Sequence, residues 1–251
     1  MDQPNKPSLV MIHGLIGSLD YFDAGERIGE ARVAMPDLLG YGSQAGAPTC
    51  GLTLAAQAEH VVGLIRALPD ETVWLVGHSM GGAVAMLAAD RISGRIAGVI
   101  NVEGNFSLKD ASWSARIAEQ DVEDWTRDYH RMQCDCAGWL QKCGIEPSDE
   151  RVRRAEAVFA NQSAETVYAM SNAIVRETAA AAYLDCVRRV VERRCLVHLI
   201  AGERSAADWD VPGFVRRAAR SYTEQPGAGH LMMLEDPDTF CQIVNQIMRG
   251  A

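Results

Sequence analysis

Gly77-His78-Ser79-Met80-Gly81 places one serine between two glycines, where an apolar run ending at Gly77 gives way to a helix-forming stretch. A G-x-S-x-G segment in that strand-to-helix setting is the sequence form of a nucleophile elbow. The flanking glycines let strand and helix approach closely while the Ser79 hydroxyl projects above the sheet edge. The same point is a helix N-terminus, whose free backbone N–H groups favour an incoming negative charge. His13-Gly14-Leu15-Ile16-Gly17-Ser18 follows the first apolar run. Its glycine-flanked turn can aim the Leu15 N–H at the oxyanion that the Met80 N–H would bind. A serine beside an oxyanion site is equipment for acyl transfer. On the pentapeptide alone, a chance match in a glycine-rich turn is the competing reading.

Runs rich in Val and Ile alternate with helix-period segments, the pattern of a parallel sheet covered by helices on both faces. Six strands are expected: Ser8 to His13, Ala31 to Pro36, Thr72 to Gly77, Ile96 to Glu103, Cys195 to Ala201 and Ala219 to Glu224. Helices are expected over Leu54 to Ala67, Ala83 to Ile92, Val211 to Ala218 and Thr239 to Met248. The last follows Asp236 as a cap and Pro237 as a first helical residue. Between Asn105 and Arg194 the alternation stops for about ninety residues of amphipathic helix, strongest over Ala155 to Ala160 and Thr166 to Tyr183. An all-helical block between two strands predicts a cap over the carboxyl ends of the sheet, where such folds bind ligands. The expected organisation is an α/β core of residues 1–105 and 195–251 with a helical cap, or lid, of residues 106–194.

The elbow and the His13-Gly14 turn are joined by Asp37-Leu38-Leu39-Gly40-Tyr41-Gly42-Ser43 after the second strand. Near the C-terminus Gly227-Ala228-Gly229-His230 sets one histidine on a glycine-rich loop after the last strand. These four segments, in this order, resemble the α/β-hydrolase superfamily, and the resemblance spans nearly the whole chain. It implies an α/β-hydrolase fold with a mostly parallel sheet, Ser79 as nucleophile, His230 as general base, and an oxyanion hole from Leu15 and Met80. It also implies no cofactor and no metal. The third triad member departs from the commonest pattern of the superfamily. An Asp usually stands three residues past a Gly after the penultimate strand, but Gly202-Glu203-Arg204-Ser205 has a serine there. Asp208, Asp210 and Glu203 are nearby substitutes. A second arrangement in the superfamily puts the acid after the preceding strand, where Ile96 to Val102 ends in Glu103. A carboxylate closing a buried-type strand needs a reason to be there, so Glu103 is the expected acid and Asp208 its main competitor. In the bland alternative, Glu103 only caps the turn into Asn105 and Phe106. His13, Phe106 and Trp113 are the expected pocket residues, with His13 also expected to orient the oxyanion turn.

The rest of the composition narrows the function class. The chain has 251 residues, 33 acidic against 24 basic, a formal charge of −9, which speaks against a nucleic-acid partner. No apolar run reaches a membrane-spanning length, and the polar start from Met1 to Ser8 has no signal-peptide pattern, so a cytoplasmic location is expected. Seven scattered cysteines fit reduced thiols, although Cys134, Cys136 and Cys143 lie close together. The expected reaction is hydrolysis of a small-molecule ester or acyl thioester, with an acyl carrier protein as a candidate partner. The rivals are a carbon–carbon bond hydrolase, a hydroxynitrile-lyase-like enzyme, and a non-catalytic ligand-binding protein on the same scaffold.

Overall fold

The computed structural model describes residues 6–193 and 195–250. Met1–Asn5 of the polar start, Arg194 at the end of the helical block, and Ala251 lie outside the described residues.

The apolar runs become six strands: β1 (Ser8–Ile12), β2 (Arg32–Ala34), β3 (Val73–His78), β4 (Ile96–Val102), β5 (Leu196–Gly202) and β6 (Ser221–Gln225). They form one sheet in the order β2-β1-β3-β4-β5-β6, and every neighbouring pair is parallel. The chain starts at β1, runs outward to β2, then crosses back to β3 and proceeds to the far edge. The direction of winding therefore reverses between β1 and β3, which opens a crevice at their carboxyl ends. β1 and β3 are buried along their whole length, as expected of strands covered on both faces.

Two apolar layers sandwich the sheet. Leu54–Ala67 and Met80–Arg91 pack on one face through Val61, Val62, Val84 and Ala88, while Phe22 and the C-terminal helix Pro237–Arg249 cover the other through Phe240, Val244 and Ile247. Thr53 caps the first of these helices by accepting from Ala56 N at 2.9 Å. Asp236 caps the last, accepting from Thr239 N at 3.0 Å with Pro237 in the first turn.

Several boundaries differ from the sequence reading, each for a local reason. β2 stops at Ala34 instead of Pro36. Pro36 has no N–H to pair, and beyond it the chain turns so that Leu38 N donates to His13 Nε2 at 3.2 Å. The elbow helix starts at Met80, not Ala83. Gly81 and Gly82 are poor helix formers, but only glycine fits there: a Cβ on Gly81 would stand 2.2 Å from Ile12 O, and one on Gly82 would stand 2.5 Å from Gly104 Cα.

Among the described residues, six helices lie between β4 and β5: Ser112–Ala118, Val122–Cys134, Cys136–Lys142, Asp149–Ala160, Ala164–Thr178 and Ala181–Glu192. The run Thr166 to Tyr183 is thus two helices, broken where Ala180 is extended (φ −76°, ψ 132°). Alanine prefers helix, yet the break lets Ala181–Glu192 fold back on the core, where Arg189 pairs with Asp90 at 2.6 Å and Tyr183 Oη donates to Asn105 O at 2.6 Å. Tertiary contacts here override propensity.

Candidate active site

Ser79 stands at the β3-to-helix turn with φ 54° and ψ −122°, a backbone conformation rarely adopted by non-glycine residues. The turn is held by its surroundings: Ser79 N donates to Val102 O at 3.0 Å, and Ser79 O accepts from Gly82 N and Asn105 N. A Cβ on Gly77 would lie 2.3 Å from Gly81 O, so strand and helix close on each other with no room for a side chain.

Glu103 follows β4, and its own backbone is left-handed at φ 41°. Glu103 N extends the sheet pairing by donating to Ile200 O at 3.0 Å. Asn101, fully buried, steadies the next turn by accepting from Gly104 N at 2.8 Å. The Glu103 carboxylate is buried and saturated: Oε2 accepts from His230 Nδ1 at 2.6 Å, and Oε1 from Gly202 N at 2.7 Å and Ser205 Oγ at 2.6 Å. Burial alone would raise its pKa. The hydrogen bonds from His230, Ser205 and Gly202 and the nearby imidazole outweigh that and hold the carboxyl below its usual range.

His230 lies on the loop between β6 and Met232–Glu235. The loop is pinned from several sides. His78 Nε2 donates to His230 O at 2.8 Å, with the two rings 4.7 Å apart. Gly229 N donates to Glu235 Oε1 at 2.7 Å, and Gly227 N to Glu203 Oε2 at 2.7 Å. With Nδ1 engaged by Glu103, the imidazole leaves Nε2 for the cleft, the arrangement needed to take a proton from a hydroxyl. Among the described residues Ser79 Oγ has no hydrogen-bonded partner.

On the β1 side, His13 is buried and neutral. Its Nδ1 donates to Gly14 O at 2.8 Å while Nε2 accepts from Leu38 N, and burial pushes its pKa down to about 4. Tyr41 Oη donates to Leu15 O at 2.8 Å, and Gly17 N donates to Gln162 Oε1 at 3.0 Å. The turn is therefore fixed through carbonyls and neighbouring amides. Among the described residues, neither Leu15 N nor Met80 N donates a hydrogen bond.

Ser79, Glu103 and His230 share the wall of one cleft of about 740 Å³ with Gly14, Leu15 and Trp113. Asp208 also lines it, but His230 is bonded to Glu103. The other substitutes are occupied elsewhere: Asp210 Oδ2 accepts from Ser107 Oγ at 2.8 Å, and Glu203 holds Gly227. Two expected pocket residues are corrected. His13 and Phe106 are off the cleft wall. Phe106 is fully buried and stacks behind the cleft on Trp209, with ring centroids 6.0 Å apart, and His13 supports the Gly14 turn from beneath. Wall residues that the sequence reading missed include Tyr21, Met132 and Trp209, which come from segments without a motif. Trp209 had the clearest local signal, an aromatic four residues past Ser205 on the loop after β5.

Comparison with known proteins agrees with the fold. A model of the alpha/beta hydrolase family matches residues 9–243, and the chain belongs to that family. The 2-succinyl-6-hydroxy-2,4-cyclohexadiene-1-carboxylate synthase of Escherichia coli O1:K1 is 27% identical over 255 residues, covering 98% of this chain and 96% of the relative. A thermophilic esterase from Thermogutta terrifontis superimposes with a TM-score of 0.74 at 22% identity, covering 98% of this chain and 90% of that one. A putative epoxide hydrolase from Pseudomonas aeruginosa does so with a TM-score of 0.72 at 18% identity, covering 98% and 89%. These likenesses carry the fold and leave the chemistry to the site.

Proposed function

We propose that this chain is a serine hydrolase that cleaves a carboxylic ester or acyl thioester through an acyl-enzyme. The observation that carries this reading is the saturated Glu103 carboxylate on His230 Nδ1, in a cleft shared with a serine held in elbow geometry. His230 Nε2 takes the proton of Ser79 as Oγ attacks the carbonyl carbon. Glu103 orients the ring and stabilises the imidazolium. The amides of Leu15 and Met80 bind the oxyanion, which costs no rearrangement because neither has another partner. His230 then protonates the departing alcohol or thiol, water enters, and the same base activates it to release the acid and restore Ser79. A serine at the elbow disfavours epoxide or haloalkane opening, because the resulting serine ether would hold no carbonyl for water to attack. A carrier-protein thioester fits the same chemistry.

A second reading, a carbon–carbon bond hydrolase or hydroxynitrile-lyase-like enzyme on the same three side chains, is favoured by the likeness over 98% of this chain to a protein that bears the name of a synthase. One pair of measurements separates the readings. A fluorophosphonate should label Ser79 in folded protein, and a panel of p-nitrophenyl esters and acyl thioesters should be turned over. Labelling without turnover of any ester or thioester favours the second reading. Absence of labelling sinks both.

A further inference from the structure

The Ser79 cleft has a neighbour. A second cavity of about 570 Å³ adjoins it under the helices Ser112–Ala118, Val122–Cys134 and Cys136–Lys142, and the two share Trp113, Arg116, Met132, Trp139 and Lys142. The shared wall is thus three large apolar side chains and two cations. Among the described residues, Arg116 and Lys142 are the charged residues common to both cavities, and both are exposed. Among the described residues neither makes an ion pair or a side-chain hydrogen bond, whereas the nearby Arg131 pairs with Asp128 at 3.1 Å.

The acids around them are mostly engaged. Both Glu103 oxygens are taken. Asp110 accepts from Phe106 N and Ser107 N on one oxygen and from Asp210 N on the other. Asp135 accepts from Gly138 N at 2.9 Å. A chain of formal charge −9 therefore leaves two unpaired, solvent-exposed cations on the wall that the Ser79 cleft shares with its neighbouring cavity.

We infer that Arg116 and Lys142 bind a carboxylate at the far end of the substrate's acyl chain, so the preferred substrate is a half-ester or half-thioester of a dicarboxylic acid. Trp113, Met132 and Trp139 cover the methylenes between. This rests on the cleft being the acyl site, as proposed above. Both cations also fall in the last turn of their helices, where a positive charge complements the helix dipole. That role alone would make them matter to stability and not to ligand choice.

The test separates these roles and does not depend on turnover. A series of α,ω-dicarboxylates and the monocarboxylates of equal length would be titrated calorimetrically into the Ser79→Ala protein. The expected result is a preference of about tenfold for the best dicarboxylate, as two charge-assisted contacts would give, weakening as salt is raised. The Arg116→Gln/Lys142→Gln protein should lose that preference and keep its monocarboxylate affinity, while Arg127→Gln/Arg153→Gln, at cations that line neither cavity, should keep both. Equal binding of the two series overturns the inference, as does a preference that survives the double substitution. A dicarboxylate preference in a protein whose wild type hydrolyses no ester or thioester would leave the anion site standing and remove the hydrolase reading instead.

Discussion

Glu103 keeps a charge inside the protein because its oxygens are met by His230, Gly202 N and Ser205 Oγ. Removing the charge while keeping the shape should leave the fold and cripple the base. We expect Glu103→Gln to lower kcat/KM on a p-nitrophenyl ester by about 10³-fold or more, on the scale of other triad acids, and Asp208→Asn to change it less than threefold. The reverse pattern in a side-by-side kinetic comparison would move the acid to Asp208. Glu103 was legible because an apolar strand closing on a carboxylate is unusual. Ser205 was not legible in its actual part. In sequence it marks the place of a missing Asp, whereas in the fold it donates to the carboxylate that supplies the negative charge from the neighbouring strand. Its hydroxyl has meaning only once β4 and β5 are paired. His13 and Phe106 misled for a related reason: a residue beside a motif in the chain can stand behind the site in space.

At the scale of elements, the elbow depends on backbones that nearly touch. A methyl on Gly81 would lie 2.2 Å from Ile12 O and 2.5 Å from His13 O, both backbone atoms that cannot swing aside. Gly81→Ala should therefore push the helix off β1, lower stability by about 1–3 kcal/mol in urea denaturation, and disturb the Met80 amide. Gly63→Ala is the control, since nothing lies within 4 Å of its added methyl. Strand existence and order were readable, because buried parallel strands write themselves as continuous apolar runs. The break at Ala179–Ala180 was not, since the alanines around it carry no stop signal and the turn is set by where Ala181–Glu192 docks.

For the molecule as a whole, the two histidines under the site set an acid limit on stability. Burial holds His13 at about 4 and His78 at about 3, against 6.5 for a free imidazole; for His78 the neighbouring His230 adds to the effect. The folded state therefore binds these protons later than the unfolded chain. Stability is complete above pH 6.5 and falls as pH drops toward 4, by on the order of 3 kcal/mol from His13 alone. Glu103, held low, adds a loss of the same sign at lower pH. Urea midpoints measured from pH 7.5 to pH 4.5 should fall steadily, and His13→Gln should flatten that slope whatever it does to stability at neutral pH. A slope unchanged by the substitution would mean that His13 is protonated in the native protein.

The hydrogen bond between Glu103 and His230 joins residues 127 positions apart. The loop carrying His230 follows β5 and β6 in the chain. The chain must therefore complete almost its whole path before its proton relay exists, and long-range parallel pairing is slow. In refolding from urea, helical signal should return first and fluorophosphonate labelling of Ser79 last, with a lag between them. For that interval the protein would be folded to the eye of circular dichroism and chemically silent.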